Sequence, residues 1–114
     1  MDYIFENIYR MIDELANISL QRKLWLNEEN DTGLISSFTE LMNSLFDDFN
    51  LDDFIDNRAS KIGLSNSTIF ELNKLKNLLN SYNEKESDEE ILCDPEWKII
   101  VEQAKTVIKE WKIS

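Results

Sequence analysis

The sequence predicts an all-α fold, a single-domain bundle of five to six helices over residues 1–114. Apolar side chains recur at helical spacing along most of the chain, and the 114 residues include only two glycines and one proline. An all-β fold needs many tight turns, which glycine and proline favour. With 42% apolar and 31% charged residues, the composition is that of a folded chain rather than a disordered one.

The first half of the chain divides into helices at residues that commonly cap them. An apolar stripe predicts a first helix over residues 3–16, and Ser19 is the predicted cap of a shorter second helix. A polar loop over residues 27–33 follows. Ser36 or Ser37 then starts a third helix.

The middle of the chain continues with an interruption and another helix. Asn50 is predicted to end the third helix, and residues 51–57 form a short piece that buries its apolar side chains. Ser65 or Ser67 is expected to start the next helix.

The last part of the chain is predicted to hold a polar linker, a turn and a long helix. The linker covers residues 83–88, and Ser87 has capping-box spacing to Glu90. Asp94 followed by Pro95 predicts a helix start. The Asp94 carboxylate can cap the free amides, and the N–H that Pro95 lacks would have no partner in the first turn of a helix. The final helix runs to about Lys112.

Net negative charge is concentrated in the first half of the chain, because most of the basic residues lie in the second half. The sequence has 12 basic and 23 acidic residues, a formal net charge of −11. No basic residue lies between Lys23 and Arg58, whereas that stretch holds nine acidic residues. Such a field repels nucleic-acid phosphate and anionic membranes and speeds encounter with a basic protein.

We interpret this cluster as a partner-binding face, against the alternative of a solvated surface. Its centre comprises five acids of the middle third, with three acids of the preceding loop at the rim. These candidate residues are Asp47, Asp48, Asp52, Asp53, Asp56, Glu28, Glu29 and Asp31. Trp25, beside the loop, is either a core residue or an aromatic anchor for the partner.

The residue types argue against catalysis, a metal site and a cofactor. There is no histidine, and the single cysteine, Cys93, has no base to activate it, so we expect a small buried hydrophobe. A calcium loop laid from Asp48 would place Asp53 where glycine is needed and Ala59 where glutamate is needed. The lone thiol, the short apolar runs and an N-terminus without a basic leader predict a cytoplasmic protein that does not enter the membrane.

Three stretches of the chain carry a resemblance to a known class of proteins. They are Leu24–Leu26 with the loop and helix start up to Leu41, Leu45–Ile55, and Ile91–Trp97 leading into a helix with Ala104. On these stretches the chain resembles the small acidic immunity proteins of bacterial toxin systems, especially those of contact-dependent growth inhibition.

The resemblance implies a non-enzymatic inhibitor. Such a protein binds the toxic C-terminal domain of a delivered effector inside the cell and covers its active site or an adjacent surface. The toxin is commonly a nuclease, which must present cations to phosphate. The resemblance transfers no contact residue, so the candidate residues rest on charge clustering alone.

Three alternatives stay open at this stage. An acidic mimic of nucleic acid would bind many basic proteins. An enzyme holding Mg²⁺ on carboxylate pairs would turn over nucleotides. A structural helical adaptor would associate through an apolar face, whereas we expect the immunity protein to be a monomer or a weak dimer.

Overall fold

The computed structural model describes residues 3–112 and contains seven α-helices there. They are α1 (Tyr3–Leu15), α2 (Ile18–Trp25), α3 (Phe38–Asn43), α4 (Leu51–Asp53), α5 (Asn66–Ser81), α6 (Asp88–Cys93) and α7 (Pro95–Lys112). No strand occurs within these residues. The predicted all-α class is confirmed. The count exceeds five to six because both the short piece after Asn50 and the turn after Ser87 are helical.

Side-chain caps fix where most of the helices begin. Ser37, Ser65 and Ser87 each accept a hydrogen bond from the amide three residues on, at 3.0–3.2 Å, as the sequence predicted. The predicted cap Ser19 is wrong. Asn17 caps α2 instead, accepting from the Leu20 amide at 3.0 Å, so α2 begins at Ile18 and Ser19 is an exposed residue of its first turn.

Two π-helical turns interrupt the middle of the chain. In such a turn each amide bonds to the carbonyl five residues before it, instead of four as in an α-helix. The first, Ser44–Asp48, continues α3, and the second, Phe54–Arg58, continues α4. Between them Asn50 adopts a left-handed conformation, with φ of 46°, and its side chain accepts from the Asp53 amide at 3.3 Å. The predicted interruption at Asn50 is therefore confirmed.

Helices α5 and α7 pack against each other as an antiparallel pair. Gln103 of α7 donates to the Glu71 carbonyl near the start of α5 at 2.9 Å. At the other end Tyr82 donates to Asp94 at 2.7 Å. Helix α1 packs on the other side of α7, where Phe5 and Tyr9 meet Trp111 edge to face.

The centre of the core is an aromatic cluster around Trp97. Trp25, Phe38 and Tyr82 surround its ring, with ring centroids 5.3–5.8 Å from it. Trp97 Nε1 donates to Oε1 of the fully buried Gln21 at 2.9 Å. This cluster ties α2 and α3 to α7.

Cys93 is exposed, which corrects the expectation of a buried residue. Ile91 and Leu92 fill the inward face of the six-residue helix α6. Each residue turns an α-helix by about 100°, so the position after this pair points away from the core.

Candidate interaction surface

The five central acids lie on two short helical segments, residues 44–48 and 51–58. Asp47 and Asp48 are on the first π-helical turn, Asp52 and Asp53 are on α4, and Asp56 is on the second π-helical turn. We refer to residues 44–58 as the acidic turns. Among the apolar residues of this segment, Leu45, Leu51, Phe54 and Ile55 are buried, and Phe46 and Phe49 are partly buried.

Asp53 is held by neighbours within the acidic turns. Its carboxylate accepts from Asn57 Nδ2 at 2.7 Å and pairs with Arg58 Nε at 3.4 Å. These hydrogen bonds, first that of Asn57 and then that of Arg58, lower the pKa of Asp53 below its ordinary value. Asp53 is only partly exposed, so it serves the local structure.

Asp52 is engaged from another helix. Its carboxylate lies 3.9 Å from Nζ of Lys76 on α5. This pair joins α4 to α5 and compensates part of the negative charge of the acidic turns.

Asp47, Asp48 and Asp56 are exposed carboxylates without an ion pair to another residue of the described range 3–112, whereas Asp52 is exposed but pairs with Lys76. Asp56 lies four residues after Asp52 on one helical segment, and like charges at that spacing repel one another by a few tenths of a kcal/mol. Asp47, Asp48 and Asp56 are the strongest candidates of the original five, because no cation of the described residues compensates them.

The acids of the preceding loop are exposed, and two of the three have their charge compensated by a basic residue of α2. Glu28 lies 3.6 Å from Arg22, and Asp31 lies 3.6 Å from Lys23, so α2 supplies a cation to each. Glu29 has no ion pair in the part of the chain that the structure describes. These residues suit a rim better than a centre.

Trp25 belongs to the core rather than to this surface. The side chain is 8% exposed, packs against Phe38 and Trp97, and donates from Nε1 to Glu14 Oε2 at 2.9 Å. It is therefore not accessible as an anchor. The exposed apolar residues near the loop are Leu34 and Ile35, which sequence analysis passed over because they belong to no helical stripe.

No group of three or more Cys, Asp or Glu side chains within residues 3–112 is arranged to hold a metal ion. Over the same range no helix combines the length and the apolar character needed to cross a bilayer.

Comparison of the chain with protein-family models, with curated proteins and with solved structures found no match.

Proposed function

We propose that this chain is an immunity protein that binds and neutralises the toxic C-terminal domain, of the nuclease class, of a cognate contact-dependent growth inhibition effector. The observation that supports it best is the set of three exposed carboxylates, Asp47, Asp48 and Asp56, without an ion-pair partner among the described residues. All three lie in the stretch between Lys23 and Arg58, which holds nine acids and no basic residue.

Binding proceeds in two steps in this proposal. The negative field first steers the basic toxin domain towards the acidic turns, which raises the association rate. Asp47, Asp48 and Asp56 then pair with Lys or Arg side chains that would otherwise hold nucleic-acid phosphate. Charge-assisted hydrogen bonds to Arg are among the strong ones, and those that become desolvated slow dissociation.

An inhibition assay tests this function. The proposal expects the effector to be a large secreted protein encoded directly upstream of this chain. Its C-terminal domain is purified and incubated with plasmid DNA or total RNA, with and without this chain. The proposal expects nuclease activity that one equivalent of the chain abolishes, and a calorimetric titration with one-to-one stoichiometry. An active domain that the chain neither binds nor inhibits would refute the proposal.

A matched pair of variants assigns the effect to a surface. One variant replaces Asp47, Asp48 and Asp56 by Asn. The control replaces three exposed acids elsewhere, Asp13→Asn, Glu84→Gln and Glu86→Gln, and changes the net charge equally. Only the first is expected to lose inhibition at stoichiometric concentration. Equal behaviour of the two would exclude the acidic turns as the contact.

A nucleic-acid mimic is the second candidate, favoured by the same exposed carboxylates on consecutive turns. A mimic would inhibit unrelated basic nucleases at low salt, and about 0.5 M salt would abolish binding, because the screening length then falls to a few ångström. A cognate immunity protein inhibits its own toxin and leaves an unrelated basic nuclease active.

A further inference from the structure

Two adjacent aliphatic side chains project from the surface before α3. Leu34 is 64% exposed and Ile35 is 76% exposed, whereas the apolar residues of α2 and α3 that flank them, Leu24, Trp25 and Phe38, are buried. Single exposed apolar residues are ordinary, but adjacent large ones form a patch that favours contact with another apolar surface.

The segment that carries these side chains has a defined conformation. Asn30 Nδ2 donates to the Leu34 carbonyl at 2.6 Å, and Thr32 Oγ1 accepts from the Leu34 amide at 3.0 Å. The Ser36 amide donates to the Leu24 carbonyl at 3.0 Å, which ties the end of the loop to α2. A partner therefore meets side chains that are already positioned, which lowers the conformational entropy lost on binding.

The surroundings of the pair select a cationic partner. Both residues lie inside the stretch from Lys23 to Arg58 that contains nine acids and no base. Arg22 and Lys23 of α2 compensate Glu28 and Asp31, whereas Glu29 and Glu40, which precede and follow the pair in the chain, have no ion pair within residues 3–112 and keep this part of the surface negative. The helical run from Phe38 to Asp47 rises about 15 Å, so the pair and Asp47 fit within the span of one ordinary protein interface.

The other large exposed apolar residues of the described range are neither adjacent in the chain nor placed in an acidic part of the surface. Phe70 and Ile99 lie on different helices, α5 and α7, and are 63% and 59% exposed. Lys74 Nζ lies 5.8 Å from the centre of the Phe70 ring. Charges of both signs, including Lys74, Lys98 and Glu102, line the groove beside Ile99, so that groove selects neither sign of partner.

We infer that Leu34 and Ile35 are the apolar anchor of the partner interface and insert into an apolar pocket bordered by cations on the toxin domain. The inference rests on the proposed function and gives the interface a desolvated centre that carboxylates alone lack. In this arrangement Glu29 and the acidic turns form the charged rim. The apolar pair mainly slows dissociation, whereas the acids raise the association rate and add to the slow dissociation where their ion pairs become desolvated.

The test compares two double variants against the toxin domain encoded upstream. Leu34→Ser with Ile35→Ser removes the anchor, and Phe70→Ser with Ile99→Ser removes a similarly exposed pair elsewhere. Kinetic binding measurements should show about 100-fold weaker affinity for the first, through faster dissociation, and less than about threefold change for the second. Ile35→Ser alone, at the more exposed position, should show part of the loss in a protein with an unchanged melting temperature.

The outcomes separate the inference from the function on which it rests. Binding of both double variants as tightly as the unaltered chain, or equal losses in both, would overturn the anchor while leaving the proposed function intact. A toxin domain that does not bind the unaltered chain would overturn the proposed function, and the anchor with it.

Discussion

At the scale of single residues, polar side chains within the core determine how the helices meet. Gln21 is fully buried and donates from Nε2 to the carbonyls of Glu14 and Leu15, at 2.8 and 2.9 Å, while Oε1 accepts from Trp97. It thereby supplies a donor to the Leu15 carbonyl at the end of α1 and a second donor to the Glu14 carbonyl, which also accepts from the Asn17 amide. The sequence did not reveal this role, because glutamine is mostly exposed and nothing local marks a buried one.

Replacing Gln21 by Leu should lower the free energy of unfolding by about 3 kcal/mol, because it leaves buried polar groups without partners. Gln103→Leu is the matched control. Gln103 is only partly buried and donates to Glu71, so about 1 kcal/mol is expected. Urea denaturation measures both, and a cost for Gln21→Leu no larger than that of the control would contradict the role given to Gln21.

Tyr82 and Asp94 form a second such contact. The hydrogen bond from Tyr82, with the Glu96 amide and Lys85 also contributing, lowers the pKa of Asp94 below its ordinary value of 3.8. Burial, reinforced by the same carboxylate, raises the pKa of Tyr82. A lowered carboxyl pKa contributes stability above the unfolded value of 3.8, and this contribution is lost as the pH falls through the folded value.

Tyr82→Phe should therefore destabilise the protein at neutral pH, and the difference from the unaltered protein should shrink as the pH falls below 3.8. Tyr9→Phe is a control at another tyrosine that packs on a tryptophan. Chemical denaturation at a series of pH values measures the two profiles. A Tyr82→Phe cost that does not vary with pH would show that the hydrogen bond does not act on the Asp94 carboxylate.

At the scale of elements, the sequence predicted most of the helix caps, but it did not predict the exact start of α2 or the π-helical turns. Ser37, Ser65, Ser87 and Asp94 cap as predicted, because each needs only the backbone that follows it. The start of α2 was misplaced by two residues, because an apolar stripe does not choose between neighbouring polar residues. The π-helical turns were not predicted, because the spacing of apolar residues was compared only with an α-helix of 3.6 residues per turn.

Asn50 provides a test of how the two π-helical turns are joined. Asn50→Ala removes the cap and places a less tolerant residue at positive φ, so a loss of about 2 kcal/mol is expected. Asn50→Gly loses the cap but accepts the left-handed backbone freely, so the loss should be a few tenths of a kcal/mol. Thermal unfolding compares the two, and equal losses would contradict a left-handed Asn50.

At the scale of the whole molecule, the sequence predicted where charge accumulates but not which charges remain free. Lys76 compensates Asp52 across 24 positions of sequence, a contact that only the packing of α5 on the neighbouring turns creates. Arg58 and Asn57 hold Asp53 locally. The proposed face therefore narrows to Asp47, Asp48 and Asp56, with Leu34 and Ile35 in place of Trp25.

Repulsion between Asp56 and the acids one turn before it should be visible without any partner. Asp56→Asn should raise the free energy of unfolding by a few tenths of a kcal/mol at low salt, because Asp52 and Asp53 lie four and three residues before it. About 1 M salt should remove the gain, because the screening length falls to about 3 Å. An Asp56→Asn variant that is less stable than the unaltered protein at low salt would mean that this carboxylate has stabilising partners.

The most direct test of the central claim is the association rate with the toxin domain encoded upstream, measured by stopped-flow mixing at a series of salt concentrations. The account predicts fast association that slows as salt rises. It also predicts about tenfold slower association for the Asp47, Asp48 and Asp56 triple variant, and near-unaltered association for the Asp13, Glu84 and Glu86 control. A rate that is independent of salt, or equally slow for both variants, would contradict it.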